Sequence, residues 1–115
     1  MPALTEEQIA EIKNRSAVHN GKKYDIGVIQ LLNEDTDNLE YVFVYRKKLS
    51  RDAYSKCHAF YKSDIVTALE VAINDVAVKA ECSPEFFERE NWELMMAVNP
   101  FIADLMEQKK TLILS

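Results

Sequence analysis

Residues 42–57, VFVYRKKLSRDAYSKC, restrict the fold more than any other stretch of the chain. An aromatic and β-branched segment suited to a pleated strand runs straight into a basic cluster. Ser50 then stands where the N-cap of a helix belongs. The preceding segment, KYDIGVIQLL from Lys23, reads as a second strand, and everything after residue 50 carries helical periodicity. The expected class is therefore α+β, with a hairpin feeding a helical body. No reactive constellation lies in this stretch, so function has to be sought in shape and surface.

The remaining elements follow from caps and spacing. Thr5 and Gln8 form a capping box ahead of a short acidic helix predicted over 5–15, with Leu4, Ile9 and Ile12 as a thin apolar stripe. Such a helix persists only when docked. HNGKK, residues 19–23, supplies a turn, because Asn20 and Gly21 tolerate positive φ. The hairpin is predicted over 23–46. Tyr24, Ile26 and Val28 face one way against Asp25, Gly27 and Ile29, while Leu39, Tyr41, Phe43 and Tyr45 oppose Glu40, Val42, Val44 and Arg46, which suits strands with one face better buried. The polar NEDTDN between them is a solvated tip. It lacks the glycine and terminal glutamate that a calcium loop needs.

The helical body is predicted over 50–110. Ala53, Tyr54, Cys57, Phe60 and Tyr61 share one helical face, and Ile65, Leu69, Ala72, Ile73, Val76 and Ala80 form the cleanest amphipathic stripe, expected to be the central core helix. Ser83 before Pro84 signals a new start with Phe86 and Phe87 inward. Asn91 is placed to cap a helix carrying Trp92, Met95 and Met96. Pro100 then forces a break near Val98 before Ile102, Leu105 and Met106 resume the apolar face. An apolar tail over 111–115 holds Leu112, Ile113 and Leu114.

Composition bounds the partners. A chain of 115 residues, 48% hydrophobic with Gly 2 and Pro 3, fits one compact domain, 1–115. Net charge of -5 argues against nucleic acid, whose non-specific binding relies on clustered cations. Arg46, Lys47, Lys48 and Arg51 read as a solvated strand end. No apolar run approaches the ~20 residues of a membrane span, and no signal-peptide order opens the chain, so a cytoplasmic, non-membrane protein is expected. Cys57 and Cys82 are too few for a disulfide framework and read as buried thiols.

Catalytic patterns fail one by one. Cys57 and His58 are helix neighbours pointing about 100° apart, so thiol and base do not face each other. His19 and His58 are the only histidines, without ligand spacing for a metal, and two glycines cannot build a phosphate-cradling loop. The chain is read as non-enzymatic, with no catalytic residue, metal or cofactor.

The order LTEEQIAEIKNR, then GKKYDIGV, then YVFVYRKKLSRDAYSKC, then helices ending in ADLMEQKKTLILS, resembles the small tail assembly chaperones of long-tailed bacteriophages and their prophage relatives. In that family an N-terminal helix leads through a YxIxV-like strand to a strand ending in a [FY]xRKPxRxxxS-like turn, with a helical body following. Lys48 stands where the family pattern often carries proline. The resemblance implies a cytoplasmic α+β protein that coats the long, helical tape measure protein until tail tube subunits polymerise around it, and that self-associates.

A binder of apolar helices needs an adaptable apolar or aromatic surface, a role methionine suits. Trp92, Met95, Met96, Phe101 and Met106 concentrate in the last third, and Leu112, Ile113 and Leu114 follow. These eight are the candidate protein-binding residues, against the plain reading in which they close the core. A structural tail or neck subunit is the alternative. A small enzyme or metal-dependent regulator using Cys57, His58 and Asp52 is the more remote one.

Overall fold

The computed structural model describes residues 1–107, and the caps organise its elements. Helix α1 spans Glu6–Ser16 and carries the expected capping box, Thr5 Oγ1 accepting from Gln8 N at 3.1 Å while Gln8 Oε1 accepts from Thr5 N at 2.9 Å. Short strands β1 (Val18–His19) and β2 (Lys22–Lys23) pair across Asn20 and Gly21, both at positive φ. Where a plain turn was expected, this is a two-residue hairpin, because left-handed residues at both central positions match the twist of paired strands.

Strands β3 (Ile26–Leu32) and β4 (Leu39–Arg46) form the main antiparallel hairpin, with Ile29 opposite Phe43 and Val28 opposite Val44. At its tip, Asn33 Oδ1 accepts from the amides of Asp35 and Thr36. The body comprises α2 (Arg51–Phe60), α3 (Ile65–Val76), three single 3-10 turns at Lys79–Glu81, Pro84–Phe87 and Arg89–Asn91, then α4 (Trp92–Ala97) and α5 (Asn99–Met106). The protein is α+β, as its patterning indicated.

Both faces of the hairpin are covered, which corrects the expectation of one preferred face. Ile29, Phe43 and Tyr45 join the main core with Leu69, Ile73, Phe86, Met95 and Ile102. Phe43 is the centre of that face, stacked on Tyr45 at 5.6 Å between ring centroids and tilted against Phe86 at 5.0 Å. On the opposite face, Ile26 and Val44 pack against Ile12 of α1. Strand residues apolar on both sides require this double cover, since strand alternation sends neighbours to opposite faces.

Helix α3 ends at Val76, four residues before the stripe predicted. Ala77 turns extended and the chain runs beside β4: Val78 N donates to Val44 O, Ser83 N to Val42 O, and Val42 N to Ser83 Oγ. Cys82 Sγ lies 3.3 Å from Val44 N and 3.2 Å from Val44 O. Unpaired strand groups outcompete another helical turn, because backbone donors left without partners are costly. Ser83 therefore serves the sheet and caps nothing, and Asn91 likewise donates to Glu85 O at 3.1 Å. The break near Val98 is present, with Pro100 in the first turn of α5.

Gly27 lies opposite Tyr45, whose ring covers the glycine so closely that a Cβ there would sit 2.3 Å from Tyr45 Cε1. Gly27→Ala is expected to cost ~2 kcal/mol by overpacking, measured by urea unfolding. A midpoint equal to that of the parent protein contradicts this packing. Arg15 of α1 pairs with Glu81 at 2.6 Å, and this holds the Glu81 carboxyl below its ordinary value. A lowered carboxylate pKa gives stability that is present above the unfolded value and lost as pH falls through the folded one. Glu81→Gln is thus expected to unfold earlier than the parent at pH 7, with the two curves merging in acid below the carboxylate range. A gap that persists there contradicts the pair's role.

Candidate interaction surface

The eight candidate residues are not brought into one groove. Met95 is 1% exposed and belongs to the core between α4 and the hairpin, so it is removed from the contact set. Its direction follows from α4 being only two turns long, with Met95 and Val98 both turned to the core. Met96 and Met106 are half-buried and pack on the rim of that core. Trp92, 49% exposed, sits one helical turn before Met96 on the same side of α4. Phe101, 41% exposed, borders a groove with Leu105, Lys13, Val28 and Ile29. Met106 lines a separate shallow cleft with His58, Ala59, Tyr61 and Lys62. Leu112, Ile113 and Leu114 lie outside the described residues.

Phe60 shares a helical face with the buried Ala53 and Cys57 yet is 42% exposed. It is the last residue of α2, at the turn into α3, where Ser63 N and Asp64 N close back on its carbonyl. Helical periodicity identifies a face but not how far the neighbouring element extends to cover it. Phe60, Trp92 and Phe101 are the three aromatic side chains of the helical body that remain large and open among the described residues.

Charge is partitioned along the hairpin. At its open end Lys22, Lys23, Arg46, Lys48 and Arg51 line one concavity, uniting the β2 lysines with the strand-end cluster. Sequence spacing hid this, since the β1–β2 turn folds back beside residue 46. Arg46 is not merely solvated, because its Nη2 donates to Asp75 O, and Asp75 in turn accepts from Ser50 N and Ser50 Oγ at 2.8 Å. At the tip, Glu34, Glu40, Glu85, Glu90 and Glu93 border a second hollow. Arg89 anchors the turns before α4 to α3 through Glu70 and Thr67.

The thiol and base of the enzyme alternative do not meet in a reactive arrangement. Cys57 is fully buried in the core, while His58 is exposed and tilted against Tyr54 at 5.8 Å between ring centroids. Asp52 is engaged with Lys56, one turn along α2. Burial raises the Cys57 thiol, and burial pushes Cys82 up to about 11. Among the described residues no group of three His, Cys, Asp or Glu side chains converges as a metal cage, and no helix is long and apolar enough to cross a membrane. Comparison with protein-family models, with curated proteins and with solved structures finds no match to this chain.

Both thiols are expected to resist a thiol-exchange reagent at pH 8 in the folded protein, since only the thiolate attacks. Two thiols per chain should react once it is unfolded in denaturant. Cys82, expected to be buried, is only partly so and is held by its Sγ against Val44, so rapid reaction without denaturant contradicts the burial of Cys57 or the hold on Cys82.

Proposed function

We propose that this chain is a non-enzymatic protein-binding chaperone of the phage tail assembly kind, sheltering the helical tape measure protein in the host cytoplasm and self-associating as it does so. The observation that carries the reading is Trp92, half-exposed on a helix whose inner residue Met95 already fills the core, with Met96 one turn on. Aromatic anchors beside adaptable methionine thioethers suit an apolar helix laid across the surface. On α5, Phe101 and Met106 add apolar side chains to two further hollows, separate from each other and from Trp92. The net charge of -5 keeps such a complex soluble and opposes contact with nucleic acid.

The order of elements supports the same reading. The segments that carry the resemblance fall on α1, on β2 with β3, and on β4 with the start of α2. The chemistry of the partner is an apolar α-helical face, recognised by side-chain burial without a fixed hydrogen-bond pattern.

Co-expression with the tape measure protein of the same genome tests this. Co-purification and a gain in partner solubility are expected, with the emission of Trp92, the single tryptophan, shifting to the blue on binding. Trp92→Ala is expected to weaken binding by about tenfold or more. Absence of both co-purification and solubility gain contradicts the proposal.

A further inference from the structure

Five of the chain's 14 lysines and arginines, Lys22, Lys23, Arg46, Lys48 and Arg51, line one concavity of about 540 Å³ at the open end of the hairpin, with His19 beside them. Like charges repel, and a chain of net charge -5 has carboxylates enough to separate them. Yet among the described residues none of the five makes a salt bridge. Asp75 is the one carboxylate on the wall, and both of its oxygens already accept from Ser50, Oδ2 from the amide and Oδ1 from the hydroxyl. Arg46 reaches only the Asp75 carbonyl. The hollow therefore presents positive charge that the described chain does not neutralise.

The far end of the same hairpin is its complement in shape as well as sign. Residues 33–38 form the tip, where Glu34, Asp35 and Asp37 are exposed, with Glu40 at the base. None of these four is in a salt bridge among the described residues, and the hollow next to them is lined by glutamates without a Lys or Arg. The tip is pre-shaped: Asn33 N donates to Asn38 O at 2.8 Å, Asp37 N donates to Asn33 O at 2.9 Å, and the Asn33 side chain holds the amides of Asp35 and Thr36. A segment already ordered loses little conformational freedom on docking. Ile26 pairs with Arg46 at one end of the ladder and Leu32 with Leu39 at the other, about 20 Å apart along the strands. The tip thus cannot reach the hollow of its own chain.

We propose that the acidic tip of one copy enters the basic hollow of the next, joining chains head to tail. The occupant is a second copy because the chain itself carries the matching finger, while its net charge of -5 opposes a nucleic-acid strand. The contact is heterologous, so every pair keeps a free tip and a free hollow, and repetition gives a ring or an open row. Exposed ion pairs are individually weak and screened by salt. A contact made by one loop also lies at the small end of interface sizes. Association is accordingly reversible and governed by ionic strength. This deepens the self-association in the proposed function and rests on that part of it.

Zero-length carbodiimide cross-linking of the full chain, in an equal mixture of isotope-labelled and unlabelled protein at low salt, tests the contact. Mixed-isotope links from Glu34, Asp35 or Asp37 to Lys22, Lys23 or Lys48 are expected, falling about tenfold or more when salt is raised from ~0.05 M to ~0.5 M. The triple variant Glu34→Gln, Asp35→Asn, Asp37→Asn separates this contact from unspecific association. It keeps a residue suited to the positive φ of position 37 and lowers the repulsion between copies, so unspecific association rises. The head-to-tail contact instead predicts a loss of about tenfold or more, read by sedimentation velocity at low salt. Lys22→Gln, Lys23→Gln, Lys48→Gln is expected to lose association as well. Mixing the two variants restores a one-to-one dimer, because one keeps the hollow and the other the tip. A tip variant that associates like the parent, a mixture of folded variants that stays monomeric, or oligomers whose links avoid the tip and the hollow overturn the head-to-tail contact and leave self-association standing. A parent chain that is monomeric at low salt overturns both. Should either variant unfold, the links in the parent chain decide: their presence supports the contact and their absence refutes it.

Discussion

A two-stranded hairpin in water is marginal, and this one is apolar on both faces, so everything else in the molecule is arranged to cover it. Phe43 and Val44 are adjacent in sequence and both fully buried, which is possible only with cover on each side of β4. Phe43 gathers the helical body through Phe86 and the α3 stripe. Val44 gathers α1 through Ile12. Helix α1, acidic in its first turn and thinly apolar, has little reason to be helical alone; its docking site makes it so.

The same constraint shapes the surface. Met95, Val98 and Ile102 are consumed in closing the body over the hairpin, which leaves Trp92 and Phe101 on the outer sides of α4 and α5. The hairpin's ends carry opposite charge, basic where the strands open and acidic at the tip. Its sulfur chemistry is turned inward, Cys57 into the core and Cys82 onto β4. What faces solvent among the described residues is thus a few large apolar side chains and two hollows of opposite charge.

Much of this architecture was legible in the residues. Thr5 with Gln8 and Ser50 sit before their helices as caps, and Pro100 marks the break at Val98, because each acts through atoms within four positions in sequence. The misread places depend on partners distant in the chain. Ala80 fits the helical stripe perfectly well, but Val44, 34 residues earlier than Val78, offers a carbonyl that draws the chain off the helix. Ser83 looks like a cap until Val42 claims its hydroxyl. The burial of Val44 and Ile26 under α1 could not be read from β4 or β3 alone. Of the candidate site, Met95 was misplaced because a short helix gives too few turns to separate inner from outer methionines, and the joining of Lys22 and Lys23 to Arg46 required the fold of the β1–β2 turn.

The most direct measurement of the central claim is native-state hydrogen exchange across β4 and α3 under increasing denaturant. If the doubly covered hairpin is what the molecule is built around, the amides of Phe43 and Tyr45 and those of Leu69 to Ile73 should open together at the free energy of global unfolding. Exchange of the β4 amides through a smaller, separate opening, with α3 still protected, would contradict it.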